Sequence, residues 1–115
     1  MMDTLPTSFT VGNRTYDMLS FLRGNEKSVY DIVIVKRAMS MNAHLGQDDG
    51  EHILKPQDQI PASLQGKVVF VFTDWRAPDG YTSVYYIHWR GDRWVRNYIW
   101  CYNVWDHDVL VLRRH

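Results

Sequence analysis

The stretch Ser83-Val84-Tyr85-Tyr86-Ile87-His88-Trp89-Arg90-Gly91-Asp92-Arg93-Trp94-Val95-Arg96-Asn97-Tyr98-Ile99-Trp100 carries the reading on which the fold turns. Side chains alternate in two runs, Ser83 to Arg90 and Arg93 to Asn103, on either side of Gly91-Asp92. Period two marks strands, and a two-residue loop opening on glycine favours a type II′ hairpin. Opposed residues then have numbers summing to 183: Trp89 faces Trp94, Ile87 faces Arg96 and Tyr85 faces Tyr98. Tyr85, Ile87, Trp89, Trp94, Arg96, Tyr98, Trp100 and Tyr102 share one side of the sheet. Val84, Tyr86, His88, Val95, Asn97, Ile99 and Cys101 take the other. The second set is smaller and more aliphatic, as a surface under helices should be.

Twelve of the sixteen aromatic residues, with all five tryptophans, lie between Phe70 and Trp105. Such a sheet has more ring surface than one helical layer readily shelters. The expectation is that the first face is partly open, with Arg96 among its rings. Exposed rings beside a guanidinium stack on sugars, bases or peptide side chains. Burial of the same face inside the subunit is the competing expectation. Homodimer formation through the sheet stands between them.

Working outward, Val68 to Thr73 is a continuous apolar run, read as a strand buried on both faces. Asp74-Trp75-Arg76 ends it, where side chains reach ligands, and Ala77-Pro78-Asp79-Gly80 makes a turn. Val109 to Arg113 is a last strand, after a loop near Asp106-His107-Asp108. Upstream, Phe9 to Val11 is a short strand turning at Gly12-Asn13, and Thr15 caps a brief helix through Leu22. Ser28, with Asp31 three residues on, caps a longer helix in which Ile32, Val35, Met39 and Asn42 share a face until Gly46. The β-branched run Ile32 to Val35 also suits a strand; the cap and the Ala/Met-rich continuation favour helix. Gln47 to Gly66 is polar and broken by Pro56 and Pro61, with room for a short helix from Glu51 to Lys55. The expected fold is one α+β domain, residues 1–115, with N-terminal helices packed on a C-terminal antiparallel meander of about four strands.

Length and composition fit a single globular core: 45% apolar and 23% charged residues over 115 positions. Thirteen basic and thirteen acidic residues cancel. A domain that lives by phosphate contacts shows a basic excess, so single-stranded nucleic-acid binding is disfavoured despite the aromatic platform. The single cysteine, Cys101, allows no internal disulfide, and with no secretory signal at Met1 to Pro6 the expectation is a cytoplasmic protein without a membrane span.

Catalytic signals are sparse. His44 and His52 flank Asp48, Asp49 and Glu51, and Asp106 and Asp108 flank His107, yet no established metal-ligand spacing accompanies either group. They define the rival reading, a small metal-dependent or acid–base hydrolase; a solvated acidic stretch and a turn are the plainer readings. Cys101 shares a face with His88 but not directly opposite it, and reads as an inert buried thiol. Arg90-Gly91-Asp92 is hairpin chemistry rather than an adhesion motif. No cofactor or metal is expected. The leading expectation is a non-enzymatic binding or assembly module for a protein or small ligand, its contact residues Asp74, Trp75, Arg76, Tyr85, Trp89, Trp94, Arg96, Tyr98 and Trp100.

Overall fold

The computed structural model describes residues 6–76, 78, 83–100, 104–106 and 108–115, with side chains placed except at 30–32, 99–100 and 104–106. In chain order the elements are β1 (Ser8–Val11), β2 (Arg14–Leu19), β3 (Ser28–Tyr30), α1 (Asp31–Ser40), α2 (Gln47–Leu54), two 3₁₀ turns (Gln57–Gln59 and Ala62–Leu64), β4 (Val69–Arg76), β5 (Ser83–Trp89), β6 (Trp94–Trp100), β7 (Val104–Asp106) and β8 (Val109–Arg114). Six strands form one sheet in the order β1-β2-β8-β4-β5-β6, curled into a half-barrel, and β3 pairs with β7 separately. Every pairing is antiparallel except β4 with β8, which is parallel.

This corrects the expected fold. The chain is mostly sheet, and there is no run of N-terminal helices laid on a four-strand meander. The difference begins at Thr15. Val11 faces Arg14 across Gly12-Asn13, a two-residue hairpin loop in which Gly12 sits at φ 60°. That turn outweighs the cap that Thr15 offers, so Arg14–Leu19 is a strand whose Tyr16 points into the core. β2 then pairs with β8, which brings the first and last parts of the described chain side by side.

The β5–β6 hairpin has the register read from the sequence: Trp89 faces Trp94, Ile87 faces Arg96 and Tyr85 faces Tyr98. Gly91 takes φ 110°, which few residues other than glycine tolerate. The helix expected from Ser28 is present but shorter, Asp31–Ser40. α2 begins at Gln47 rather than Glu51, with Asp48 and Asp49 in its first turn, where acids oppose the helix dipole. Ala77, Asp79, Gly80, Cys101, Tyr102 and His107 lie outside the described residues.

Both faces of the sheet are covered. Ile34 and Ala38 of α1, with Phe21 and Ala43, pack against Val71, Val84 and Val111. On the other face Ile53 of α2 and Ile60 and Leu64 of the 3₁₀ segment pack on Phe70, Phe72, Ile87, Trp94 and Leu112. β4 is buried on both sides from Phe70 to Thr73, which explains its unbroken apolar run. The 3₁₀ segment also ties down the two edges of the half-barrel. The Gln57 amide donates to the Trp94 carbonyl at 3.1 Å and its Oε1 accepts the Trp94 N–H at 2.7 Å, while Gln59 Oε1 accepts the Gly12 N–H at 2.6 Å.

Gly50 sits in α2 where a Cβ would overlap Cζ3 and Cε3 of Trp75. Helix and sheet close onto each other because that atom is missing. Gly50→Ala should lower stability by about 1–3 kcal/mol in urea titrations, the overpacking outweighing alanine's better helix propensity.

Candidate functional site

β4 changes course at Thr73. Phe72 faces Tyr85 on β5, but the next paired residue, Arg76, faces Val84, so Thr73, Asp74 and Trp75 have no partner there. Bulges of this kind bend a strand and re-aim its side chains. Beyond Phe70 β4 also parts from β8, its parallel neighbour, with which its register runs over Val69–Val109 and Phe70–Leu110. The chain between α1 and α2 enters the resulting fork: the Leu45 carbonyl accepts the Asp74 N–H at 2.9 Å. Asn42, at φ 58°, makes the sharp turn that starts this segment.

Above the fork lies a cleft of about 580 Å³, within the range of small-ligand sites. Asn42, His44, Asp48, Asp74, Arg113 and Arg114 are among its lining residues. His44 is held at both ends: Nδ1 lies 2.8 Å from the hydroxyl of buried Thr73, and Nε2 lies 3.3 Å from Asp74 Oδ1.

The wall of the cleft is anchored by Asp49, a carboxylate only 3% exposed. It accepts the Tyr16 hydroxyl at 2.7 Å, Arg14 at 3.2 Å, and both Nε and Nη2 of Arg114 at 2.9 Å. A buried charge is tolerable only when paired and hydrogen-bonded, and this one is. Burial alone would raise the Asp49 carboxyl, but the bonds from Arg114 and Tyr16 and the two guanidinium charges hold it below the usual carboxylate range. Tyr16 moves the opposite way, its ionisation suppressed by burial and by the carboxylate that takes its proton bond. Asp48 joins from the rim, 3.0 Å from Arg114 and 3.1 Å from Arg14. Arg113 is turned to Asp17 at 3.1 Å.

The acceptor chemistry of the cleft centres on Asp74. Arg113 and Arg114 are paired with carboxylates of the protein, Asp48 among them, whereas the side chain of Asp74 is 61% exposed and contacts His44. Among the residues expected for a metal or hydrolytic centre, His44, Asp48 and Asp49 do meet at this cleft, but His52 does not: it bonds the Val11 carbonyl at 2.9 Å.

The expected contact residues divide. Asp74 lies in the cleft; Arg76 is exposed beyond the bulge. Trp75 and Trp94 are 4% and 2% exposed and belong to the core, so the open aromatic face does not extend to them. Trp94 packs on Phe70 and Trp89, and Trp75 stacks on Tyr85 with centroids 4.4 Å apart. Trp89 and Tyr85 are half-buried against the same cluster. Among the described residues of this face, Arg96 and Tyr98 are the exposed ones, with the Arg96 guanidinium 5.7 Å from the Trp75 ring and 3.4 Å from Glu51. Trp100 is placed by its backbone opposite Ser83. The residues missed by sequence reading are Arg14, Tyr16 and Arg114, which come together only because β2 and β8 are neighbours.

No protein-family model, curated protein or solved structure matches this chain.

Asp49→Ala would strand the Tyr16 hydroxyl without an acceptor inside the core, at a cost of about 2–3 kcal/mol in chemical denaturation. The depressed carboxyl also sets a pH dependence. Its contribution is complete above the ordinary value of 3.8 and is lost as pH falls through the lower folded-state value. Melting temperatures followed from pH 6 to pH 2 should show a drop below about pH 4 that is smaller in Asp49→Asn.

Proposed function

We propose that the chain is a non-enzymatic binding module that receives a small polar ligand in the cleft at the carboxyl ends of β4 and β8. The ligand class is a hydrogen-bond donor carrying positive charge, such as an amine or guanidine, with Asp74 as the principal contact and Asp48 at the opposite rim. One observation supports this reading above the rest: the arginines lining the cleft are already paired with carboxylates, while Asp74, in contact with His44, keeps a side chain 61% open to solvent. Preorganisation supports it as well. His44 backs Asp74 from one side and the Asp49 network stiffens the other, so little ordering remains to oppose binding.

A hydrolytic reading finds less support at the same place. Nδ1 of His44 is bonded to Thr73 and Nε2 lies against Asp74, Thr73 is fully buried, and Asp49 is saturated with donors. A general base needs a free lone pair within reach of its proton.

Titration with spermidine and with arginine amide, followed by amide chemical shifts, is the direct test. Saturable shifts should centre on His44, Asp48 and Asp74. Asp74→Asn should weaken binding about tenfold or more, as loss of a charge-assisted contact does. Absence of saturable shifts for both probes, or equal affinity in Asp74→Asn, would end the proposal.

A further inference from the structure

β6 is the outermost strand on its side of the sheet. Which of its backbone groups face outward follows from the hairpin. The Arg90 N–H donates to the Arg93 carbonyl at 2.8 Å, so residues 90 and 93 form a hydrogen-bonded pair. Antiparallel ladders alternate, which makes His88–Val95 and Tyr86–Asn97 bonded pairs and leaves Trp94, Arg96 and Tyr98 in non-bonded pairs. The N–H and C=O groups of those three residues therefore point away from β5. Gln57 supports that parity independently, because it reaches the Trp94 N–H and C=O from outside the sheet.

Past Trp94 the edge is open among the described residues. Among the described residues no protein group accepts the Arg96 N–H or donates to the carbonyls of Arg96 and Tyr98; the Tyr98 N–H is held by the preceding Asn97 side chain at 2.8 Å. Natural edges are blunted by proline, bulges or covering segments. Residues 94–100 contain no proline, and their register with β5 is unbroken. Tyr98 is 48% exposed, one of two large apolar residues so exposed among those described.

We propose that this edge pairs antiparallel with β6 of a second copy of the chain, Arg96 lying opposite Tyr98 of the partner subunit. Outward groups at residues 96 and 98 then exchange four backbone hydrogen bonds about a two-fold axis at Asn97. Three features favour a second copy over an unrelated strand. The register is self-complementary, since it sets each Arg96 beside a Tyr98 ring, a cation–ring pairing of the kind Arg96 makes with the Trp75 indole inside the subunit. Gln57 ends the open edge at Trp94, which sets the length of the pairing. The chain carries no net charge, so two copies meet without long-range repulsion. The partner's carbonyl replaces Asn97 as acceptor for the Tyr98 N–H.

Sedimentation equilibrium should show the mass rising with concentration from 13.6 kDa toward twice that value. Tyr98→Pro removes an outward N–H and leaves the β5 ladder whole, so it should stay monomeric and still melt cooperatively. In a Cys101→Ser background, Asn97→Cys places two thiols across the axis at about 4.5 Å between Cα atoms, close enough to oxidise to a linked dimer. Val95→Cys should not cross-link. A mass fixed at 13.6 kDa up to millimolar protein overturns the proposal. So does a dimer in which Asn97→Cys fails to cross-link.

Discussion

Asp49 joins segments that are far apart in the chain. It leaves the first turn of α2, enters the core beside Tyr16, and is gripped by Arg14 from β2 and Arg114 from β8. Truncating one partner of such an arrangement leaves the others buried and unpaired, so the network acts as a condition on assembly more than as added stability. It demands that β2 and β8 be neighbours, that α2 lie across them, and that the helix begin near Gln47. The apolar cluster of Ile53, Leu64, Phe70, Trp94 and Leu112 supplies most of the driving force. The ionic cluster selects which packing of that core is allowed.

The bulge at Thr73 to Trp75 borders the recess in this scaffold. Each bulged residue has a task of its own. Thr73 holds His44, the Asp74 N–H meets the Leu45 carbonyl, and Trp75 fills the space over Gly50. The recess therefore rests on the same contacts that seat α2, and its geometry is as firm as the core beneath it.

Local signals were legible where turn chemistry and period agreed. Gly91-Asp92 and the alternation around it suffice for the β5–β6 register, and the unbroken run from Val68 announces a strand buried on both faces. What stayed hidden was non-local. A helical cap at Thr15 and a hairpin at Gly12-Asn13 were both written in the chain, and pairing with β8, about 95 residues away, favours the hairpin. Parallel pairing of β4 with β8 leaves no mark in either strand. The cleft was half visible: Asp74 stood out as a strand end and His44 with Asp48 and Asp49 as a polar group, but nothing local says that they meet. The aromatic excess misled because the 3₁₀ segment, within a stretch that reads as polar and broken by prolines, is a second covering layer that shelters Trp94 and Phe70.

β8 occupies the middle of the sheet, between β2 and β4, although it comes last in the order of elements. During vectorial synthesis the two halves of the sheet must wait, each with an unsatisfied inner edge, until Val109–Arg114 leaves the ribosome. Nascent chains stalled before that point would display two unpaired seams at once, the state in which sheets are most prone to aggregate. A short peptide copying β8 would be the matching decoy, able to trap the unfinished molecule by taking the vacant slot.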